Sequence, residues 1–438
     1  MHGAEGLVAS LKRRPGVRRF RRWRRWLLLG LVLQAVLPAL ARAGLAQAAE
    51  VADGGAPNAS RNNSPSASPQ NSIDQPDTDL PRETPIENSL GRGRSSGSAL
   101  GGYGELILNA PSNAPSVVDL RRVVLFVGHD FTDHIRFYSE LELEHAVSTL
   151  STRGEVSIEQ AYLDWVQSNR FGLRGGLVLM PMGIINIYHE PPSFFGVDRP
   201  DVDTYVIPTT WREPGVGLFG QAAEGLRYQL FLVDGFNANN FSAQFGVQPG
   251  AQQGSLAYAG DFGVIGRVDY EPLLGTVFGV SAYGGTSGNT LTASVGKVPV
   301  GLFDVDARSR VGGLTLRLEA ALLAIGDTAA LDAALTAGGP VASLSWGGYA
   351  EAGYDLLHWW VPATSQELSV FDRFDTVDTQ LSVPTGTVAN LADRRVSDII
   401  GLVYKPIPQI ALKLDGRRQW LGDGVVYNQL DTAITWLF

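Results

Sequence analysis

From about Ser98 to the C-terminus, apolar and polar side chains alternate in segments of about 10 to 13 residues, separated by turn-forming clusters. A period of two is the mark of strands with one apolar face. Ile135, Phe137, Ser139, Leu141 and Leu143 oppose Arg136, Tyr138, Glu140, Glu142 and Glu144. Phe303, Val305 and Ala307 oppose Asp304, Asp306, Arg308 and Arg310, and Leu314, Leu316 and Leu318 oppose Thr315, Arg317 and Glu319. Ile410, Leu412 and Leu414 oppose Ala411, Lys413, Asp415 and Arg417. Helical periodicity surfaces once, around Thr328–Thr336. No run of about 18 apolar residues follows Ser98, so membrane-spanning helices are excluded there.

The pattern predicts sixteen strands, beginning near Leu100, Val117, Ile135, Glu155, Phe171, Gly215, Leu226, Ala259, Thr276, Gly301, Leu314, Val341, Glu367, Arg395, Ile410 and Val426. The patterns at Gly215 and Glu367 are the faintest, and fourteen or eighteen strands are the alternatives. Connections alternate in length. Thr132–His134, Ser168–Arg170, Glu224-Gly225, Glu271–Gly275, Gly312-Gly313 and Pro406–Gln409 are short, and Asp, Asn, Gly and Pro supply their turn chemistry. Gly183–Pro214, Phe236–Tyr258, Ser287–Val300, Gly326–Pro340 and Val377–Arg394 are long.

A soluble sandwich and a membrane barrel both produce this alternation. The N-terminus favours the barrel. Residues 1–25 are strongly basic, an apolar run follows from Trp26 to Leu40, and Ala46-Gln47-Ala48 closes the segment. This is the order of a secretory signal peptide, read here as residues 1–48. Residues 49–98, rich in Asn, Ser and Pro, read as a disordered periplasmic linker with too few apolar side chains to offset ordering entropy. Residues 99–438 are then an outer-membrane β-barrel. Its strands exceed the usual five or six residues, and aromatics such as Trp165, Tyr270, Trp346 and Trp420 sit near segment ends, as an interfacial girdle requires. The chain closes on Ile434, Trp436 and Phe438, alternating to a terminal aromatic. This ending resembles the barrel assembly signal, with Ala433 where a Gly is usual.

Composition sharpens the picture. The 44% of hydrophobic residues serve, on this reading, a thin lipid-facing band rather than a large core. The absence of cysteine excludes a disulfide scaffold, a Cys-ligated zinc site and a thiol enzyme. Residues 99–438 carry 21 Lys and Arg against 36 Asp and Glu, a net charge of −15, so nucleic acid is not an expected partner.

The segments "FYSELELEHA" (137–146), "IEQAYLDW" (158–165), "GLVLMPMGIINIYHEPPSFFGVDRPDVDTYVIPTTWREPGVGLFG" (176–220), "GGYAEAGYDLL" (347–357) and "GLVYKPIPQIALKLD" (401–415) resemble the phosphate-selective porin O and P family of Gram-negative outer membranes. The resemblance spans about residues 100–438. It implies a 16-stranded antiparallel transmembrane barrel, all-β, with an inward-folded third loop. It also implies a trimer in outer-membrane lipid, assembled by the barrel machinery, that passes small hydrophilic solutes or ions, with phosphate and other anions as candidates. The segment after the fifth strand corresponds to that loop, and its candidate constriction residues are Glu190, Asp198, Arg199, Asp201, Asp203, Arg212 and Glu213.

Strand parity makes Arg136, Glu140, Glu142, Glu144, Arg174, Arg227, Arg267, Asp304, Asp306, Arg308, Arg310, Arg317, Glu319, Lys413, Asp415 and Arg417 the pore-lining candidates. The basic members would form a ladder, or would pair with wall acids. Acids at a constriction favour cations, against a simple phosphate pore. In Arg121-Arg122 and Arg417-Arg418 parity sets one arginine inward and one outward, and it sets His145 outward. His189-Glu190 reads as no metal site: Pro191 and Pro192 follow, and no second His stands at ligand spacing. Neither a metal nor another cofactor is expected. An enzyme would need an activated Ser or an Asp/His set at one rim, and no such motif is evident, so a non-enzymatic porin is expected. An enzymatic or an adhesive barrel is the alternative.

Overall fold

The computed structural model describes residues 97–147, 154–335, 339–361 and 363–438. The segments expected to be a signal peptide (1–48) and a linker (49–98) lie outside the described residues as far as residue 96. Sixteen strands pair antiparallel, each with its sequence neighbours, and the first closes on the last. They are β1 (Gly97–Pro111), β2 (Val117–Asp130), β3 (Ile135–Glu144), β4 (Val156–Ser168), β5 (Phe171–Leu179), β6 (Arg212–Ala223), β7 (Leu226–Asp234) and β8 (Phe262–Leu273). The second half holds β9 (Thr276–Thr286), β10 (Pro299–Val311), β11 (Leu314–Ile325), β12 (Leu344–Asp355), β13 (Glu367–Ser382), β14 (Arg394–Ile407), β15 (Ile410–Leu421) and β16 (Val426–Leu437). The helical pattern after β11 is a helix at Thr328–Ala334.

Closure removes every sheet edge, which a membrane demands because lipid offers no hydrogen bonds. The outward rows stay apolar and exposed: Leu163 is 50% exposed, Phe278 50% and Leu318 54%. The inward rows are polar and buried. At the seam, β1 and β16 run in register from Tyr103↔Leu437 to Pro111↔Gln429. Gly104 lies opposite Trp436 there, and a Cβ at Gly104 would come within 2.5 Å of the indole. The glycine makes room for the Trp436 indole of the last strand.

Strands run further than the turn residues suggest. β13 continues through Ser382, and β6 begins at Arg212 rather than near Gly215. Pro214 sits opposite Leu177 within the β5–β6 ladder. It is tolerated near a strand start, where few ladder bonds are lost. Arg212 and Glu213 are therefore strand residues, not loop residues: they pair with Leu179 and Val178.

Among the register shifts in the ladders, two bulges change the face of charged residues. Between β1 and β2 the register passes from Glu105↔Arg122 to Leu106↔Leu120, leaving Arg121 extra. Between β3 and β4 it passes from Glu140↔Gln160 to Leu141↔Ile158, leaving Glu159 extra. Arg121 and Arg122 consequently both reach acids on the inner side, Asp198 at 2.7 Å and Glu105 at 2.9 Å, which corrects the one-in, one-out expectation. Arg417 and Arg418 do divide, Arg417 bonding Asp201 inside while Arg418 is exposed beside Trp420. His145 lies past the end of β3 with φ of 55°. It sits on no strand face, and its Nδ1 is 2.7 Å from Asp119.

The expectation of no large core also needs correction. Met180, Met182, Ile184, Val202, Ile207 and Trp211, all between β5 and β6, pack against Tyr103, Tyr138, Leu323, Tyr349 and Val377 of the wall. Phe236, Phe241 and Val247, between β7 and β8, join them. The cluster forms because these connections fold back over inward-facing apolar side chains. Alternation in the strands alone cannot reveal that.

Candidate functional site

The 32 residues between Leu179 and Arg212 form a connection held by side chains of many strands. Asn186 clasps its two ends. Its amide donates to the carbonyls of Met180 (2.8 Å) and Trp211 (3.1 Å), and its oxygen accepts from the Trp211 N–H at 2.6 Å. Gly183 turns the chain with φ of 69°, and Pro191–Ser193 adds one 3-10 turn where the proline pair presets φ. A single turn of helix follows at Val202–Tyr205.

From there the segment is bonded to side chains around the barrel. Arg267 of β8 donates to the Gly183 carbonyl (3.2 Å), and Ile184 donates to Glu319 of β11 (3.2 Å). Arg317 donates to the Ser193 carbonyl (2.7 Å), and Lys413 of β15 to that of Gly196 (2.8 Å). Val197 N–H donates to Asp415 (2.7 Å), and Arg373 of β13 to the Asp198 carbonyl (3.1 Å). Asp198 pairs with Arg121 of β2, and Asp201 pairs with Arg417 at 2.7 Å. Arg308 of β10 donates to the Tyr188 hydroxyl at 3.1 Å and lies over its ring. Partners on β2, β8, β10, β11, β13 and β15 put the segment across the interior of the ring rather than above it.

This arrangement decides what the wall charges do. Arg267 lies between Asp269 (2.8 Å), Asp304 (3.9 Å) and Asp306 (2.7 Å). Arg174 pairs with Asp164, Arg317 with Glu351, Arg310 with Glu367, and Arg122 with Glu105 and Glu142. Arg136 reaches Asp130 only at 3.5 Å and Arg227 reaches Glu271 only at 3.9 Å, at more exposed positions. Glu144 is half-buried at the end of β3. Glu213 accepts from Trp211, Gln252 and Gln253, so it anchors the next long connection instead. Arg212 bonds the Thr210 carbonyl and Ser157, and Arg199 bonds the Thr210 hydroxyl. Ile434 and Phe438 stand on the outer surface, 49% and 64% exposed.

Two acids of the segment are raised by their surroundings. Burial pushes the Asp203 carboxyl up to about 7, although Arg199 opposes it, and Asp306 nearby adds to the rise. Burial likewise raises Glu190, against the pull of His189. For His189 burial disfavours charge, but Glu159, Glu140 and Glu190 prevail and raise the ring to about 9.

Residue-by-residue reading missed Arg373, Asp375, Arg121 and Glu159. Arg373 and Asp375 follow parity within β13, where the pattern was faint. Arg121 and Glu159 are the bulge residues, and single-chain parity misassigns both.

No family model matches the chain. An uncharacterized protein of Aquifex aeolicus (strain VF5) is 34% identical over 354 residues, covering 78% of this chain and 80% of that one. Among solved structures, an anion-selective porin from Comamonas acidovorans superposes with a TM-score of 0.52 at 10% identity, covering 78% of this chain and 100% of that one. The outer-membrane channel DcaP of Acinetobacter baumannii gives 0.52 at 12%, covering 78% and 98%. Salmonella typhi OmpF, in complex with daunomycin, gives 0.51 at 14%, covering 78% and 97%. The chain belongs to the family of the Aquifex aeolicus protein, and its closed ring of sixteen strands is the fold of outer-membrane porins.

Proposed function

We propose that this protein is an outer-membrane porin, a passive route for small hydrophilic solutes or ions in a Gram-negative outer membrane. It is reached by signal-directed export and barrel assembly, and it works as a homotrimer. The observation that carries this reading is the segment between β5 and β6, which leaves the rim and is bonded across the ring by charged side chains. A structural or adhesive barrel has no need to hold a charged strap at its centre, whereas a channel uses one as its constriction. The similarity of fold to a porin and to a channel supports the same reading.

For selectivity we favour cations. A phosphate ladder needs arginines aimed at the passing anion. Here Arg122, Arg267, Arg317, Arg373 and Arg417 each face a wall or loop carboxylate. The net charge of −15 on residues 99–438 adds a background field of the same sign. The likeness to the phosphate-selective family therefore extends to the architecture and not to the charge chemistry.

Folded, heat-modifiable protein in planar bilayers is expected to give ohmic conductance steps. Silence from such protein would overturn the channel reading. Under a salt gradient the reversal potential should carry the cation sign. The opposite sign would restore the anion reading and leave the channel in place.

A further inference from the structure

Three segments meet at His189. The imidazole comes from the strap between β5 and β6, Glu140 from β3 and Glu159 from the bulge of β4. None of the three side chains is more than 2% exposed. The ring Nε2 lies 3.5 Å from a Glu159 oxygen and 3.9 Å from a Glu140 oxygen. One ligand atom from each residue falls within 4.8 Å of the others. Ligands about 2.1 Å from a tetrahedral zinc stand about 3.4 Å apart, so the 3.5 Å between His189 and Glu159 fits a coordination shell, and Glu140 at 3.9 Å would have to close in by a few tenths of an ångström.

A second observation is independent of the clustering. His189 Nδ1 and Glu159 Oε1 have no partner, while His189 Nε2 stands in ion-pair range of Glu159 Oε2 and Glu140 Oε2. Fully buried polar atoms are rarely left so, because each then keeps its desolvation penalty. The Tyr103 hydroxyl donates to Glu159 at 3.1 Å, and its ring meets the imidazole edge-on at 6.0 Å. That is the outer support which orients metal-binding carboxylates.

We propose that Glu140, Glu159 and His189 bind one divalent transition metal of the zinc class, tying the strap to β3 and β4. One nitrogen and two carboxylates suit zinc, cobalt or manganese. Calcium, which takes six to eight oxygens, is poorly served. On binding, the ring nitrogen and the two carboxylate oxygens replace waters of the hydrated ion, and any proton on the ring nitrogen or a carboxyl oxygen is released to solvent.

The test uses tag-free, folded barrel stripped with a chelator, loaded with zinc sulfate and freed of excess metal. Elemental analysis should find one zinc per chain, and Glu159→Gln and His189→Ala should each bind at least tenfold more weakly. Cobalt in the unmutated protein should give the visible bands of a four- or five-coordinate site, a readout that survives if a variant misfolds. Zinc at the level of the His189→Ala variant, with no cobalt bands in the heat-modifiable wild-type barrel, would overturn the proposal. These readouts do not depend on conductance, so a barrel that passes no current still tests the site.

Discussion

At the scale of residues, function rests on a few side chains that satisfy a strap built largely of non-repeating backbone. Asn186 alone closes three hydrogen bonds between the strap's ends. Asn186→Ala leaves the Trp211 N–H unmatched, while the Met180 and Trp211 carbonyls keep the N–H groups of Met182 and Met180, at about 1–3 kcal/mol locally. The barrel should keep its heat-modifiable mobility, while protease nicking between residues 180 and 211 becomes faster. Asp203 gives a pH signature. Its carboxyl, raised to about 7 by burial, is neutral below that pH and charged above it. The groups facing it are Glu319 of β11, Asp306 of β10, Arg373 of β13 and Arg199 of the strap itself. Cation preference should therefore grow as pH rises through 7, and Asp203→Asn should flatten the dependence. Reversal potentials measured from pH 5 to 9 check both.

At the scale of elements, strands are set by alternation and turns, while their faces are set by register. The bulge at Glu159 shows the difference. Glu140↔Gln160 and Leu141↔Ile158 flank it, so deleting Glu159 leaves a regular ladder with every other side chain on its present face. The deletion variant should fold as a heat-modifiable barrel and fail to bind zinc. Loss of folding would show that the bulge also sets barrel curvature. The seam supplies a second element-level prediction. A side chain at Gly104 collides with the Trp436 indole and lies 3.0 Å from the Arg122 carbonyl. Gly104→Val should lower the yield of folded barrel on dilution into detergent, and a smaller aromatic at 436 should recover part of it. Gel mobility with and without heating reads both outcomes.

At the scale of the whole molecule, the ring and its strap are one hydrogen-bonded unit. Pairs such as Arg417–Asp201 and Arg373–Asp198 join residues more than 170 positions apart. Shortening the strap, by joining Ile185 to Thr209 through a few glycines, removes these ties and widens the passage. Single-channel conductance should rise, and the ion preference should weaken because paired wall charges are freed to face water. An unchanged conductance would place the constriction elsewhere. Strand number, chain order, nearly all strand starts and the helix after β11 were legible in the sequence, because period-two alternation and Gly, Pro, Asn and Asp turns are local signals. Most inward-facing charges were legible for the same reason. The candidate site was legible only as a charged, proline-bearing segment of unusual length.

The sequence by itself determined strands with one apolar and one charged face, since each side chain's face follows from its neighbours two positions away; strand length, the girdle aromatics and the N-terminal pattern then pointed to a barrel. Only the tertiary structure decided what those interior charges contact. Arg121 and Glu159 turn inward because one partner strand lacks a matching residue, which no single strand records. His189 found no companion along the chain, yet the inward fold of the strap brings it to within 3.9 Å of Glu140 and Glu159. Pairing across distant strands depends on register and closure, and these are properties of the whole ring rather than of any one segment.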